Sequence, residues 1–182
     1  MSPSAKMKPP VGANDHVQGA ANAPVTLVEY GDYECQYCGE AYPIVKALQE
    51  RLGKQVRFVF RNFPLSEMHP HAEHAAEAAE AAGAQGKFWE MHDKIYENQE
   101  RLGEALFLDL GEKLKLSTTA LRQALEQRTF EARVRADFKG GVRSGVNGTP
   151  TFFISGHRHD GSFDFETLVS AIHQAMGTAK SA

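Results

Sequence analysis

The chain has 182 residues, of which 42% are hydrophobic and 24% charged, and its formal net charge is −3. That length suits one compact domain or two small ones, and the composition excludes wholesale disorder. No apolar run approaches the roughly 20 residues that span a bilayer, and the slightly acidic balance implies no general attraction to nucleic acid.

Residues 1–14 carry three prolines and two lysines but no apolar signal core, so they read as a flexible, solvated tail. As written, the chain is expected in the cytoplasm; a periplasmic protein with its signal removed would look the same. The run V-T-L-V-E-Y before Gly31 is short and β-branched and predicts a buried strand. Ile44, Val45, Leu48 and Leu52 form a helical stripe that stops before Gly53. Val56, Phe58 and Phe60 alternate as in a second strand. Strand, helix and strand in this order predict a βαβ unit with parallel strands.

Helical patterns then run from Pro70 to about Ser144. Pro70 is placed at a first helical position, and residues 72–84 hold eight alanines, the best helix former, which predicts a packed helix. Further stripes are Phe88, Trp89, His92 and Ile95, then Leu106, Leu110 and Leu114. Ser117 is a good N-cap, with Leu116 and Leu121 spaced as a hydrophobic staple. A last stripe, Phe130, Val134 and Phe138, precedes Gly140-Gly141. Strand signals return at residues 151–155, with a short return strand around Arg158, and Asp164 can cap a final helix through Leu168, Ala171, Ile172 and Ala175. The layout is βαβ, a helical block over 69–144, then ββα over 145–178. The two outer parts need each other to complete one sheet, so the helical block is expected to be an insertion.

Only two cysteines are present, Cys35 and Cys38. A disulfide framework is therefore excluded and a lone C-x-x-C is left to explain. It lies where the first strand passes into the first helix. Unpaired N–H groups and the positive dipole end stabilise a thiolate there. Cys35 is expected at the helix start with its sulfur accessible, and Cys38 one turn in, so that the pair can shuttle between dithiol and disulfide. Zinc is the rival use. No second C-x-x-C exists, although His69, His71 and His74 cluster and His157 and His159 lie near the second hairpin, so no metal site is expected. Pro43 falls inside the helical stripe and is expected to kink it. Thr149-Pro150 precedes the late strand, where a cis proline would face the cysteines and offer a backbone edge to an extended substrate. Glu29 is either an outward surface residue or a buried acid that exchanges protons with Cys38.

Three stretches together carry a specific resemblance: A-P-V-T-L-V-E-Y-G-D-Y-E-C-Q-Y-C, the central H-P-H-A with G-K-F-W-E-M-H-D, and G-V-N-G-T-P-T-F-F-I. From about His16 to Ala175 the chain resembles the DsbA-like branch of the thioredoxin superfamily, in particular bacterial cytosolic or antiporter-fused thioredoxin-like domains. The resemblance implies an α/β thioredoxin fold, a central mixed sheet flanked by helices, over 15–68 and 145–178, with an inserted all-helical domain over 69–144. It implies Cys35 as the attacking and Cys38 as the resolving cysteine, Glu29 as a buried acid, and Pro150 as the cis-proline with Thr149 before it. Gln36 and Tyr37 stand between the cysteines where the oxidising periplasmic members carry Pro-His, so the positive charge of that histidine is missing. The implied activity is thiol–disulfide exchange with protein or peptide substrates, in either direction, with Gln36, Tyr37, Thr149 and Pro150 meeting the substrate. No cofactor is expected beyond the redox-active disulfide and a thiol such as glutathione, and the partner that recycles the pair is unidentified. A glutathione-linked enzyme of the same fold, and a metal-binding or redox-sensing module without turnover, are the alternatives.

Overall fold

The structure is a computed structural model that describes residues 6–179. Strand β2 (Val25–Gly31), helix α1 (Gln36–Leu52) and strand β3 (Val56–Asn62) form the expected βαβ unit. The two strands pair in parallel, from Val25 opposite Val56 to Gly31 opposite Asn62. Strand β4 (Thr151–Ile154) runs antiparallel on the other side of β2, and β5 (His157–His159) antiparallel on β4. Strand β1 (His16–Gly19) pairs antiparallel with β3. Its four residues, H-V-Q-G, are too short and too polar to read as a strand from sequence. The mixed sheet has the order β1-β3-β2-β4-β5.

Side chains alternate across the sheet. Val25, Leu27, Phe58, Phe60, Phe152 and Ile154 join one core with Cys38, Ala41, Val45 and Leu48 of α1 and with Leu168 and Ile172 of α7 (Phe165–Ala179). Val28, Tyr30, Val59 and Phe153 face the other way, onto Met7, Phe63 and Val146. Asp164 accepts from the Thr167 N–H at 2.9 Å and so caps α7. Pro43 lies within α1.

Between β3 and β4 come five helices, α2 (Ala72–Gly83), α3 (Phe88–Tyr96), α4 (Glu104–Lys113), α5 (Thr118–Glu126) and α6 (Glu131–Arg143). Ala75, Ala76, Ala78, Ala79, Ala81 and Ala82 are all buried, so α2 is enclosed on nearly every side. Alanine has no bulk to hold neighbouring helices away. The inserted helices share the core of the sheet. Phe60 of β3 packs edge-on to His92 of α3, with ring centroids 4.6 Å apart. Ser117 caps α5 as expected, its hydroxyl oxygen accepting from Ala120 N–H at 3.2 Å.

One helix boundary differs from the sequence reading. Helix α2 begins at Ala72, two residues after Pro70, because residues 69–72 close a turn through the Ala72 N–H and the His69 carbonyl. Helix α6 runs through Gly140-Gly141 to Arg143, which agrees with a helical block reaching about Ser144. A Cβ at Gly141 would lie 2.6 Å from the Phe63 ring and 3.0 Å from the Tyr30 ring. The glycines therefore let α6 approach the sheet, and they do not end it.

The solvated-tail reading is corrected for residues 6–14. Met7 is buried, its N–H bonds the Gly156 carbonyl at 2.9 Å, and Lys6 bridges to His157. Arg61 of β3 explains the attachment. Buried in the sheet, it donates to the carbonyls of Pro9 and Pro10 and pairs with Asp15 through two bonds of 2.8 and 2.9 Å. A buried guanidinium needs partners, and this segment supplies them. No helix among the described residues is long and apolar enough to cross a membrane.

Candidate active site

Cys35 is the N-cap of α1, and its backbone N–H bonds the Asp32 carbonyl at 3.2 Å. Its side chain does not cap the helix, so the sulfur is left to other partners. The loop before β4 comes against it: the Cys35 thiol donates to the Thr149 carbonyl at 3.4 Å. The Thr149–Pro150 peptide bond is cis. Cys38, one turn into α1, is completely buried and accepts the Asp32 N–H at 3.4 Å. Both cysteines are free thiols. The expected accessible sulfur is corrected in degree: Cys35 keeps only 6% of its surface, because the Thr149 segment lies over it.

The two thiols differ sharply. Hydrogen bonding from Cys38 first, then from the Thr149 side chain and the Cys38 and Tyr37 N–H groups, overcomes burial and lowers Cys35 to about 5. Burial pushes Cys38 well above the ordinary thiol range, and the Cys35 hydrogen bond and the Glu29 charge add to it. A thiol ionised at neutral pH beside one that stays protonated is the asymmetry that thiol–disulfide exchange uses.

Glu29 is buried, 3% exposed, and one carboxyl oxygen has no hydrogen-bond partner. It is not an outward surface residue. Burial, with the Cys35 charge second, raises its pKa to about 8. It lines a small cavity with Gln18, Lys46, Asp93 and Tyr96. Gln36 and Tyr37 are exposed at the start of α1; Tyr37 keeps 61% of its surface and Gln36 donates to Glu40 at 3.3 Å. The structure thus brings Cys35, Cys38 and Thr149 into direct contact and places Glu29 within electrostatic reach.

Five further residues support this loop and were not singled out for it from sequence. Asp32 has a fully buried carboxylate that accepts from Glu34 N–H and Leu65 N–H, both at 2.8 Å, and from His69 Nδ1 at 2.7 Å. Gln99, beyond α3, donates from its side-chain amide to the carbonyls of Tyr33 (2.8 Å) and Cys35 (3.0 Å). Tyr33 is fully buried and its hydroxyl meets His92 Nδ1 at 2.9 Å. Burial holds His92 down to about 3, so the imidazole is neutral. The Asp beside the cysteines was visible in sequence, but Gln99 lies 64 residues from Cys35 and gives no local signal. His69 was weighed only as a metal ligand. Among the described residues, no three His, Cys, Asp or Glu side chains gather as a metal site requires.

A mixed sheet interrupted by helices, with a thiol pair opening the first helix under a cis X-Pro loop, defines a thioredoxin-fold protein with a C-x-x-C centre. A family model described as thioredoxin matches residues 12–174, and the chain belongs to that family, in its DsbA-like branch. In structure it is similar to oxidised BdbD from Bacillus subtilis, with a TM-score of 0.86 and 25% identity over 96% of this chain and 98% of that one. It is similar also to a thioredoxin-like oxidoreductase from Silicibacter pomeroyi, with a TM-score of 0.76 and 28% identity over 94% and 95%. In sequence it is 47% identical over 162 residues to a Na(+)/H(+) antiporter NhaA 1 of Salinispora arenicola, covering 89% of this chain and 25% of that protein. An antiporter NhaA of Herminiimonas arsenicoxydans is 36% identical over 167 residues, covering 91% and 26%. The chain thus spans about a quarter of the length of these curated relatives.

Proposed function

We propose that the protein exchanges disulfides with protein or peptide substrates through Cys35 and Cys38. The observation that carries this reading is the thiol asymmetry, Cys35 lowered to about 5 beside Cys38 raised well above its usual range. In the oxidising direction, a substrate thiolate attacks Cys35 of the Cys35–Cys38 disulfide. The S–S bond breaks, and Cys38 leaves with the electron pair and takes a proton from Glu29. A second substrate thiolate then attacks the substrate sulfur of the mixed disulfide, and Cys35 leaves as a thiolate. Two electrons pass from the substrate to the cysteine pair. The reducing direction is the reverse, with the Cys35 thiolate as attacker and Glu29 accepting the Cys38 proton.

The Thr149 backbone beside Pro150 would hold an extended substrate, with the exposed Tyr37 and Gln36 at its edge. A stabilised Cys35 thiolate favours the reduced protein, which makes the disulfide more oxidising than one built from ordinary thiols. Insulin reduction and refolding of a reduced, scrambled substrate test the reading together. Cys35→Ser is expected to abolish both, and retention of either activity overturns it. A glutathione-linked monothiol enzyme gives a different pattern, since its activity survives Cys38→Ser.

A further inference from the structure

The dipeptide Gln36-Tyr37 brings no cation to the thiolate, yet the folded chain carries a histidine next to the same loop. His69 follows β3 and reaches back to the turn between β2 and α1. Its Nδ1 donates to Asp32 Oδ2 at 2.7 Å. The Asp32 carboxylate has no exposed surface, while His69 keeps 20% of its side chain open to solvent. Asp32 is also tied to both cysteines by its backbone: its carbonyl accepts the Cys35 N–H at 3.2 Å and its N–H meets Cys38 Sγ at 3.4 Å. One residue therefore holds the histidine with its side chain and the thiol loop with its main chain.

We propose that His69, oriented by Asp32, is a positioning residue that supplies the positive charge paired with the Cys35 thiolate, and so couples the redox equilibrium to pH. This rests on the thiol-exchange reading above. The titratable groups that act on His69 are Asp32, Cys35 and Glu34, all anionic when ionised. Burial opposes the imidazolium, but the Asp32 hydrogen bond and these three charges outweigh it and raise the His69 pKa. Coupling is reciprocal, so a thiolate that favours imidazolium is itself favoured by it.

The proton balance gives the test. Two glutathione thiols reduce the Cys35–Cys38 disulfide, delivering two electrons and two protons and leaving one glutathione disulfide. Cys38 keeps one proton as a thiol, Cys35 remains a thiolate, and the second proton goes to water. Where His69 is neutral in the oxidised protein and protonated in the reduced one, that second proton stays on His69. Net proton release then falls, and the equilibrium constant rises less steeply with pH than it does without His69; Glu29, which the Cys35 charge also raises, contributes alike with and without that imidazole.

The experiment measures the glutathione equilibrium from pH 5.5 to 9 for the wild type and His69→Gln, with an NMR titration of His69 in reduced and oxidised wild type and in Cys35→Ser. The expected result is a higher His69 midpoint in the reduced wild type than in the other two. His69→Gln should lower the equilibrium constant for reduction about tenfold at pH 6, leave it unchanged at pH 9, and so steepen its pH dependence between them. A tenfold change is ~30 mV for this two-electron couple. A merely structural histidine would titrate alike in all three samples, and equal midpoints overturn the proposal. Equal midpoints with an intact glutathione equilibrium leave thiol exchange standing; a pair that never equilibrates with glutathione overturns both.

Discussion

The carbonyl oxygen of Thr149 stands 3.4 Å from the Cys35 sulfur, although 114 positions of sequence separate the two residues. The contact exists because β4, which follows Pro150, pairs with β2, which leads into α1. Sheet pairing thus sets the loop over the sulfur, and the Thr149 side chain helps to lower the Cys35 pKa. Thr149→Val keeps the shape and removes the hydroxyl. Its expected effect is a rise in the Cys35 pKa, because the Thr149 side chain acts to lower it. The pH dependence of iodoacetamide alkylation measures it, and an unchanged midpoint contradicts the role.

The difference between the cysteines predicts their reactivity. At pH 7 Cys35 is ionised and Cys38 is not. Brief iodoacetamide treatment of the reduced protein should therefore alkylate Cys35 alone, as peptide mass spectrometry will report. Cys38→Ser should accumulate mixed disulfides with a disulfide substrate, because no second thiol is left in the protein to resolve them.

Glu29 predicts a pH-dependent stability. Its folded pKa is raised from 4.5 to about 8 by burial. A carboxyl raised in this way is protonated in the folded chain while the unfolded chain has already ionised. Its contribution is fully present below about pH 4.5 and is lost as pH rises toward 8. Glu29→Gln, neutral at every pH, should equal the wild type in stability near pH 4 and exceed it by about 2 kcal/mol or more at pH 8. Urea unfolding at the two pH values measures the gain, and equal gains at both would remove the burial argument.

Gly141 predicts a packing cost away from the thiols. Any Cβ there meets the Phe63 ring at 2.6 Å and the Tyr30 ring at 3.0 Å, and both residues are buried. Gly141→Ala should destabilise by about 1–3 kcal/mol through overpacking, while the Cys35 alkylation midpoint stays where it was. Thermal unfolding reads the first and alkylation the second. A gain in stability, as alanine gives in an open helix, would show that α6 does not lie so close to the sheet.

The strands at V-T-L-V-E-Y and V-R-F-V-F, the helix after the cysteines and the alanine-rich helix were legible because each is long or strongly periodic and buries one continuous face. Strand β1 and the attachment of residues 6–14 were not. Both depend on partners distant in sequence, Phe58 and Arg61 of β3 among them, and carry no pattern of their own. The role of Gly140-Gly141 was hidden for a related reason. A glycine pair signals a helix end when read locally, and only the neighbouring Phe63 and Tyr30 rings reveal it as a contact surface.

The sequence by itself determined the chemistry available: two cysteines three apart at a strand-to-helix junction, with Thr149-Pro150 ahead of a late strand and an acid in an apolar run. It left Glu29 open between surface and core, and it offered His69 only as a metal ligand. Tertiary structure decided both. It buried Glu29 without a full set of partners, laid Thr149 over Cys35, and tied His69 to the thiol loop through Asp32. The physical reason is that residue type and spacing fix which groups can ionise. How readily each does so depends on desolvation and on neighbours that only the folded chain brings together.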